Sequence, residues 1–288
     1  MNRRRFLTIT AAALAAPRGA MAARWQGRAF GTAVALRLDG ADPSRAALTF
    51  ARVAAELARV EGLFSLHRES ALTRLNRDGR LAGPPDALRD ILSLAVRVHA
   101  ATGGAFDPTV QPLWLATAMG GDTGAARAAV GLDRVQADDA EIRLGRGQQL
   151  TFNGIAQGWA ADRIAALLAA EGYGNALIDL GEIATTGPRA DGRPWRAGIA
   201  GPDGEALGKA LLAGRALATS SPRGTLIGAG APHILGPQGQ AVRWRTASVS
   251  ADRAALADAL STAFCLMDRT AIDAALAAFP GAALAALA

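Results

Sequence analysis

Between Ala176 and Ser250 the chain reads ALIDLGEIATTGPRADGRPWRAGIAGPDGEALGKALLAGRALATSSPRGTLIGAGAPHILGPQGQAVRWRTASVS. Short apolar runs alternate here with Gly and Pro. The runs are Ala176–Leu180, Trp195–Ile199, Ala210–Ala213, Leu217–Ser220, His233–Leu235 and Ser248–Ser250. Each is short for a helix and is bounded by turn formers, so the pattern predicts the strands of a sheet.

Helical patterns flank this region. Downstream, Asp252–Met267 reads as a helix capped by Ser250 or Asp252, and a second alanine-rich helix ends the chain. Upstream, Asn153-Gly154 leads into a helix that runs through Glu171 and is closed by Gly172. Residues 131–152 read as short strands with a turn at Gly145–Gly147. Pro84-Pro85-Asp86 opens a helix to about Thr102, and residues 65–76 read as a loop. In Ser44–Phe64 the residues Val53, Leu57, Val60 and Phe64 recur at helical spacing. Arg24–Leu38 alternates weakly and reads as one strand. Helices early and late with strands between predict an α+β fold with mostly antiparallel sheet, not a doubly wound one. No repeat or linker composition appears, so residues 23–288 are expected to form one domain.

The first 22 residues have a different character. Met1-Asn2-Arg3-Arg4-Arg5 is followed by an apolar, alanine-rich stretch and by Ala20-Met21-Ala22, an A-x-A cleavage pattern. This is the three-part plan of a signal peptide. Paired arginines ahead of Phe6-Leu7 point to the twin-arginine route and so to the periplasm. The apolar run is too short to span a bilayer. These residues hold four arginines and no acid, so the formal charge of +6 falls to +2 without them. That balance removes the case for a nucleic-acid partner. Cys265 is the only cysteine, so no internal disulfide forms, and with three histidines a zinc site is not expected.

Four segments are richer in small and polar residues than core packing requires. Thr102–Thr109 contains Gly103-Gly104 and a proline-fixed turn, which would hold Asp107 rigidly; a helix stop is the plainer reading. Asn153–Gly158 opens a helix, where free N–H groups suit phosphate, but it has neither a P-loop nor a G-x-G-x-x-G pattern. In Asp258-Ala259-Leu260-Ser261-Thr262, Asp258 and Thr262 share a helix face with Ser261 beside them. A carboxylate with hydroxyls suits Mg²⁺ or Ca²⁺. Apolar neighbours surround this carboxylate, so it needs a partner. Pro232–Pro237 carries His233, which on its own reads as a structural residue.

Taken together these segments resemble the ApbE family of FAD:protein FMN transferases, in the family's order along nearly the whole chain. Phe30-Gly31-Thr32 is similar to its first strand motif. Phe64–Ser70 and Leu72–Asn76 resemble the following loop. Gly104–Val110 matches a family motif almost letter for letter, and Gly154–Ala160 with Asp162 is similar to the central glycine-rich one. Leu177–Gly181, Gly192–Trp195, Ala218-Thr219-Ser220, His233-Ile234 and Ala257–Ala263 complete the set.

The resemblance implies Mg²⁺ bound by Asp258, Ser261, Thr262 and the backbone oxygen of Gly154. It implies flavin-nucleotide contacts at Phe30, Leu66, Ala105, Phe106, Asp107, Thr151, Gln157 and Ile234, and help with the proton or phosphate from His233. FAD would be the substrate. A threonine of an exported acceptor protein, in a Ser/Thr-Gly-Ala-Thr-like motif and in a respiratory or redox complex, would receive FMN as AMP leaves. The sequence departs from the family where Thr151 replaces an acid, Gln157 a lysine, Glu182 and Gly236 the usual residues, and Leu66 or His67 a tyrosine. A non-catalytic FAD carrier and an FAD pyrophosphatase stay open as alternatives.

Overall fold

The computed structural model describes residues 22–288. The export-signal reading falls on residues 1–22 and, apart from Ala22, lies outside the described residues. Strands β1 (Ala22–Ala29) and β2 (Thr32–Asp39) form an antiparallel hairpin, followed by α1 (Pro43–Phe64), α2 (Ala71–Asp78), β3 (Arg80–Ala82) and α3 (Asp86–Ala101). A 3-10 turn at Pro108–Val110 leads into α4 (Gln111–Met119) and α5 (Thr123–Ala128), then β4 (Gln136–Ala137) and β5 (Glu141–Arg143). After α6 (Ala156–Ala170) come β6 (Ala176–Asp179), β7 (Ile183–Thr185), β8 (Trp195–Ala200), β9 (Ala206–Leu212), β10 (Ala216–Ser220), β11 (Leu226–Ile227) and β12 (Ala231–Pro232). The chain continues through β13 (Ala247–Ala251), α7 (Ala254–Phe264), α8 (Arg269–Ala277) and β14 (Ala283–Leu287).

Seven of these strands make the central sheet, in the order β1-β2-β6-β7-β10-β13-β14, with every neighbouring pair antiparallel. The α+β expectation holds. Both faces of the sheet are covered, and side-chain alternation along β10 shows how. Ala216 and Ala218 join the large core beneath the helices, whereas Leu217 joins a second cluster with Ile183, Trp195, Ile199 and Leu212. The β8–β9 hairpin supplies that second layer. On the helical face α6 lies between α1 and α7, and α7 packs on β10 and β13.

α1 forms for legible reasons. Asp42 caps it through the Arg45 amide, Pro43 opens it, and Ala46, Phe50, Val53, Leu57, Val60 and Phe64 bury one face. The contact of α6 with α7 depends on Gly158. A Cβ there would sit 2.3 Å from the Ala254 carbonyl oxygen and 2.8 Å from the Ala255 Cα. Only glycine lets the two backbones approach so closely.

Several local expectations are corrected. Arg24–Leu38 is two strands, because Phe30 and Gly31 turn the chain with φ of 52° and 72°; a phenylalanine is no turn signal. The stretch read as a loop contains α2, which Ser70 and Thr73 start with a reciprocal capping box. His233–Leu235 is a bend after β12, not a strand. Neither Ser250 nor Asp252 caps α7. The carboxylate of Asp162 on α6 does so, accepting from the amides of Ala254 (2.6 Å) and Ala255 (3.2 Å). The alanine-rich C-terminal segment is helical only to Ala277, then forms β14 at the sheet edge.

Gly158→Ala is expected to destabilise the fold by about 3 kcal/mol or more, since the added methyl meets backbone that cannot swing aside. Gly198→Ala, where a Cβ meets nothing within 4 Å, is the control and should shift stability by less than about 1 kcal/mol. Urea denaturation of both variants checks this.

Candidate active site

The ends of α6 and α7, the 105–108 turn, β10 and the bend after β12 enclose a cleft of about 290 Å³. Ten sequence-expected residues line it: Ala105, Phe106, Asp107, Thr151, Gly154, Gln157, His233, Ile234, Asp258 and Thr262. Phe30, Leu66 and Ser261 do not. Phe30 and Leu66 are half-buried against the core. Ser261 is fully buried; its hydroxyl lies 2.8 Å from the Ser220 hydroxyl and donates to the Asp258 carbonyl at 3.0 Å. It therefore stands behind the cleft wall.

The wall is built from caps and turns. Asp107 caps the 3-10 turn, accepting from the Thr109 amide at 2.8 Å and the Thr109 hydroxyl at 2.6 Å. The carbonyl of Phe106 meets Nδ1 of His99 at 2.9 Å. Thr151 is anchored by its amide on the Pro108 carbonyl at 2.8 Å. Gln157, in the first turn of α6, donates to the Leu180 carbonyl at 2.9 Å. Asp107 and Gln157 thus have structural work as well as cleft exposure.

At one corner α7 meets the start of α6. A Cβ on Gly154 would lie 3.0 Å from the Thr262 hydroxyl, so the Gly154 backbone and that hydroxyl sit side by side. The Ser220 hydroxyl is 3.3 Å from that of Thr262. Asp258 is buried and accepts from the Gly158 amide at 3.1 Å. Burial pushes its carboxyl up to about 7, the Gly158 amide opposes this, and the Asp162 carboxylate adds to it. One carboxylate and several neutral oxygens gather here, a donor set suited to a hard cation. Among the described residues no group of three or more His, Cys, Asp or Glu gathers as a metal site.

His233 lies across the cleft. Its Nδ1 is 2.8 Å from the Pro222 carbonyl and 3.2 Å from that of Thr225. A carbonyl only accepts, so Nδ1 carries a hydrogen. Sequence reasoning missed Glu182 as a site residue. It is buried, lines the cleft and accepts from the Thr219 amide at 3.2 Å. Its departure from the family pattern in the Asp179–Glu182 turn was the available signal. Trp114 and Gln111 on α4 also line the cleft, in a stretch to which the sequence assigned no element.

Sheet and cleft define a single-domain α+β protein with a cleft where the start of α6 meets the last turn of α7. The model of the ApbE family matches residues 30–286, and the chain belongs to that family. An FAD:protein FMN transferase of Salmonella typhimurium is 31% identical over 197 residues, covering 62% of this chain and 56% of that protein. One from Klebsiella pneumoniae is 30% identical over 251 residues, covering 78% and 72%. The chain thus spans little more than half the length of the Salmonella relative. The flavinyl transferase ApbE of Pseudomonas stutzeri superposes with a TM-score of 0.77 at 26% identity, covering 89% of this chain and 88% of that one. The ApbE protein of Thermotoga maritima superposes at 0.80 with 24% identity, covering 93% and 96%.

The raised Asp258 carboxyl sets a pH dependence. Its folded-state value lies above the ordinary carboxylate range, so its contribution to stability is complete below about pH 4 and is lost as pH rises through about 7. In chelator, the melting temperature of the protein should fall between pH 5 and 8, and that of Asp258→Asn should fall less. Parallel curves from thermal melts would show that Asp258 does not carry the effect.

Proposed function

We propose that this chain is an FAD:protein FMN transferase, which moves FMN from FAD to a threonine hydroxyl of an acceptor protein and releases AMP. Family membership and the names of its relatives support this reading. The observation that carries it is the charge of the cleft. Asp107, Glu182 and Asp258 line it, and no Lys or Arg does among the described residues. Side chains there do not neutralise a diphosphate; a divalent cation held at the oxygen corner would.

Asp258, Thr262 and the Gly154 carbonyl would hold Mg²⁺, with Ser261 supporting the Ser220 hydroxyl and the turn of α7 from behind. The ion supplies charge neutralisation at the diphosphate and polarises the phosphorus under attack. Ala105, Phe106, Thr151, Gln157 and Ile234 line the space for FAD, and Asp107 fixes the turn that presents Ala105 and Phe106. His233 would assist the proton or the phosphate as the threonine oxygen bonds to the FMN phosphorus, gives up its proton, and the bond to the AMP oxygen breaks. Positioning supplies most of the acceleration in such transfers. The acceptor is expected to carry a Ser/Thr-Gly-Ala-Thr-like motif and to belong to an exported respiratory or redox complex. Residues 1–22 would direct the chain to the periplasm by the twin-arginine route, with residues 23–288 forming the transferase domain.

The test is incubation with FAD, Mg²⁺ and an acceptor domain, read by intact mass. The acceptor should gain one FMN on its threonine and AMP should appear. Asp258→Ala should lower the rate about 100-fold or more, and His233→Ala by about 100-fold or more. AMP and free FMN without acceptor would mean a pyrophosphatase, whereas bound, unchanged FAD would mean a carrier. Arg3→Lys with Arg4→Lys should hold a reporter fusion in the cytoplasm; continued export would exclude the twin-arginine route.

A further inference from the structure

The composition of α4 does not match its position. Gln111–Met119 reads QPLWLATAM, with no charged residue, yet only Gln111 and Leu113 are buried. A helix that is apolar on every side normally lies inside a protein. Trp114, Leu115 and Ala118 are instead partly exposed, and Met119 is 81% exposed. The β11–β12 hairpin continues the same surface. Its tip rests on the end of α4, where a Cβ on Gly228 would lie 2.2 Å from the Thr117 carbonyl oxygen and 3.4 Å from that of Ala118. Leu226, on β11, is 45% exposed. Two of the five large apolar side chains exposed among the described residues therefore stand on one rim.

This rim is continuous with the cleft. Val110, Gln111 and Trp114 line the cleft at the start of α4, and Thr225 and His233 line it on either side of the hairpin. Leu226 pairs across the hairpin with Pro232, the residue before His233. The charge of the rim points to its occupant. Residues 105–121 and 224–242 hold one carboxylate, the buried Asp107, and no Lys or Arg. Helices that lie on a membrane carry several Lys or Arg beside their apolar face, and α4 and the hairpin carry none. The centre of a protein–protein contact is poor in charge and rich in Trp and Met, which is the composition found here.

We propose that α4 and the β11–β12 hairpin are the docking surface for the FMN acceptor. They hold an uncharged segment of that protein, with small and apolar residues around its threonine, so that the threonine enters the cleft beside His233. This rests on the transferase reading above. The acceptor motif expected there, Ser/Thr-Gly-Ala-Thr-like, has this uncharged character. Trp114, Met119 and Leu226 supply the apolar contact.

Steady-state transfer to an acceptor domain with that motif, at saturating FAD, separates docking from chemistry. Met119→Asp and Leu226→Asp should each raise the acceptor KM about tenfold. Their kcat should change by less than about threefold, with FAD affinity, followed by flavin fluorescence, and melting temperature unaltered. Met119→Ala should raise KM less, since it removes contact without placing a charge in the interface. Leu48→Asp on α1 and Leu211→Asp on β9, also at exposed apolar positions, should leave KM as it is. An unchanged acceptor KM in both rim variants would overturn the proposal, as would an equal rise in the two controls or a loss of FAD affinity. Rim variants that release the protein from anionic vesicles, or dissolve a dimer, while KM holds would assign the surface to lipid or to a second copy and overturn it as well. If the unmutated protein transferred no FMN, the transferase reading would fall and this inference with it, a result distinct from normal transfer that is insensitive to Met119 and Leu226.

Discussion

The contact of α6 and α7 at Gly158 fixes the arrangement of the cleft. The helices approach until the backbone of one rests on the backbone of the other, and each N-terminus is then satisfied by the other helix. Asp162 of α6 accepts from the first amides of α7, and Asp258 of α7 accepts from the Gly158 amide in the first turn of α6. Helix N-termini present unsatisfied donors and a partial positive charge, so each carboxylate is well placed. The reciprocity also fixes register. A shift of one residue in either helix would strand both caps, and Gly154 would lose its place beside Thr262.

This arrangement carries an electrostatic tension. Two carboxylates are buried close enough for Asp162 to raise the Asp258 carboxyl, and burial raises both. A buried charge without a full set of partners costs several kcal/mol. Asp162 takes two backbone amides and lies 3.4 Å from the Arg253 guanidinium. Asp258 takes one amide. The remaining demand is concentrated on the cleft side of α7, where the neutral oxygens of Thr262, Ser220 and Gly154 also gather. A divalent cation at this corner would relieve that buried charge, and its binding would then be coupled to folding.

Much of the fold was legible because hydrophobic period and turn formers agree over long stretches. α1 and α3 follow apolar spacing, and β8 and β10 follow short runs between glycines. Legibility failed where long-range contacts decide local structure. The Phe30 turn is held by a carboxylate from α1, and within Arg24–Leu38 the local mark is Gly31, which the single-strand reading passed over. The cap of α7 comes from Asp162, far away in sequence, while Ser250 and Asp252 beside it are spectators to that role. Ala283–Leu287 has helix-forming composition, yet β13 offers an unpaired edge, and pairing there outweighs propensity. Glycine-rich turns and the Asp258–Thr262 spacing announce themselves, whereas Phe30 and Glu61 become related only through a tertiary contact.

The two departures at Thr151 and Gln157 make sense as a pair. Both residues line the cleft, and by the resemblance they stand for an acid and a lysine. Keeping only one of two such partners would leave an uncompensated charge against low-dielectric walls, which costs more than losing both. Two neutral side chains avoid that cost, and both find backbone partners. Gln157 donates to the Leu180 carbonyl, and the Thr151 hydroxyl accepts from the Asn153 amide at 3.2 Å. The exchange removes a cation from the cleft, while Glu182 contributes a carboxylate held by the Thr219 amide. With less positive charge from side chains, an anionic ligand in this cleft would depend more heavily on a cation at the oxygen corner of α7. The replaced residues and the Asp258–Thr262 turn are therefore two sides of one charge balance.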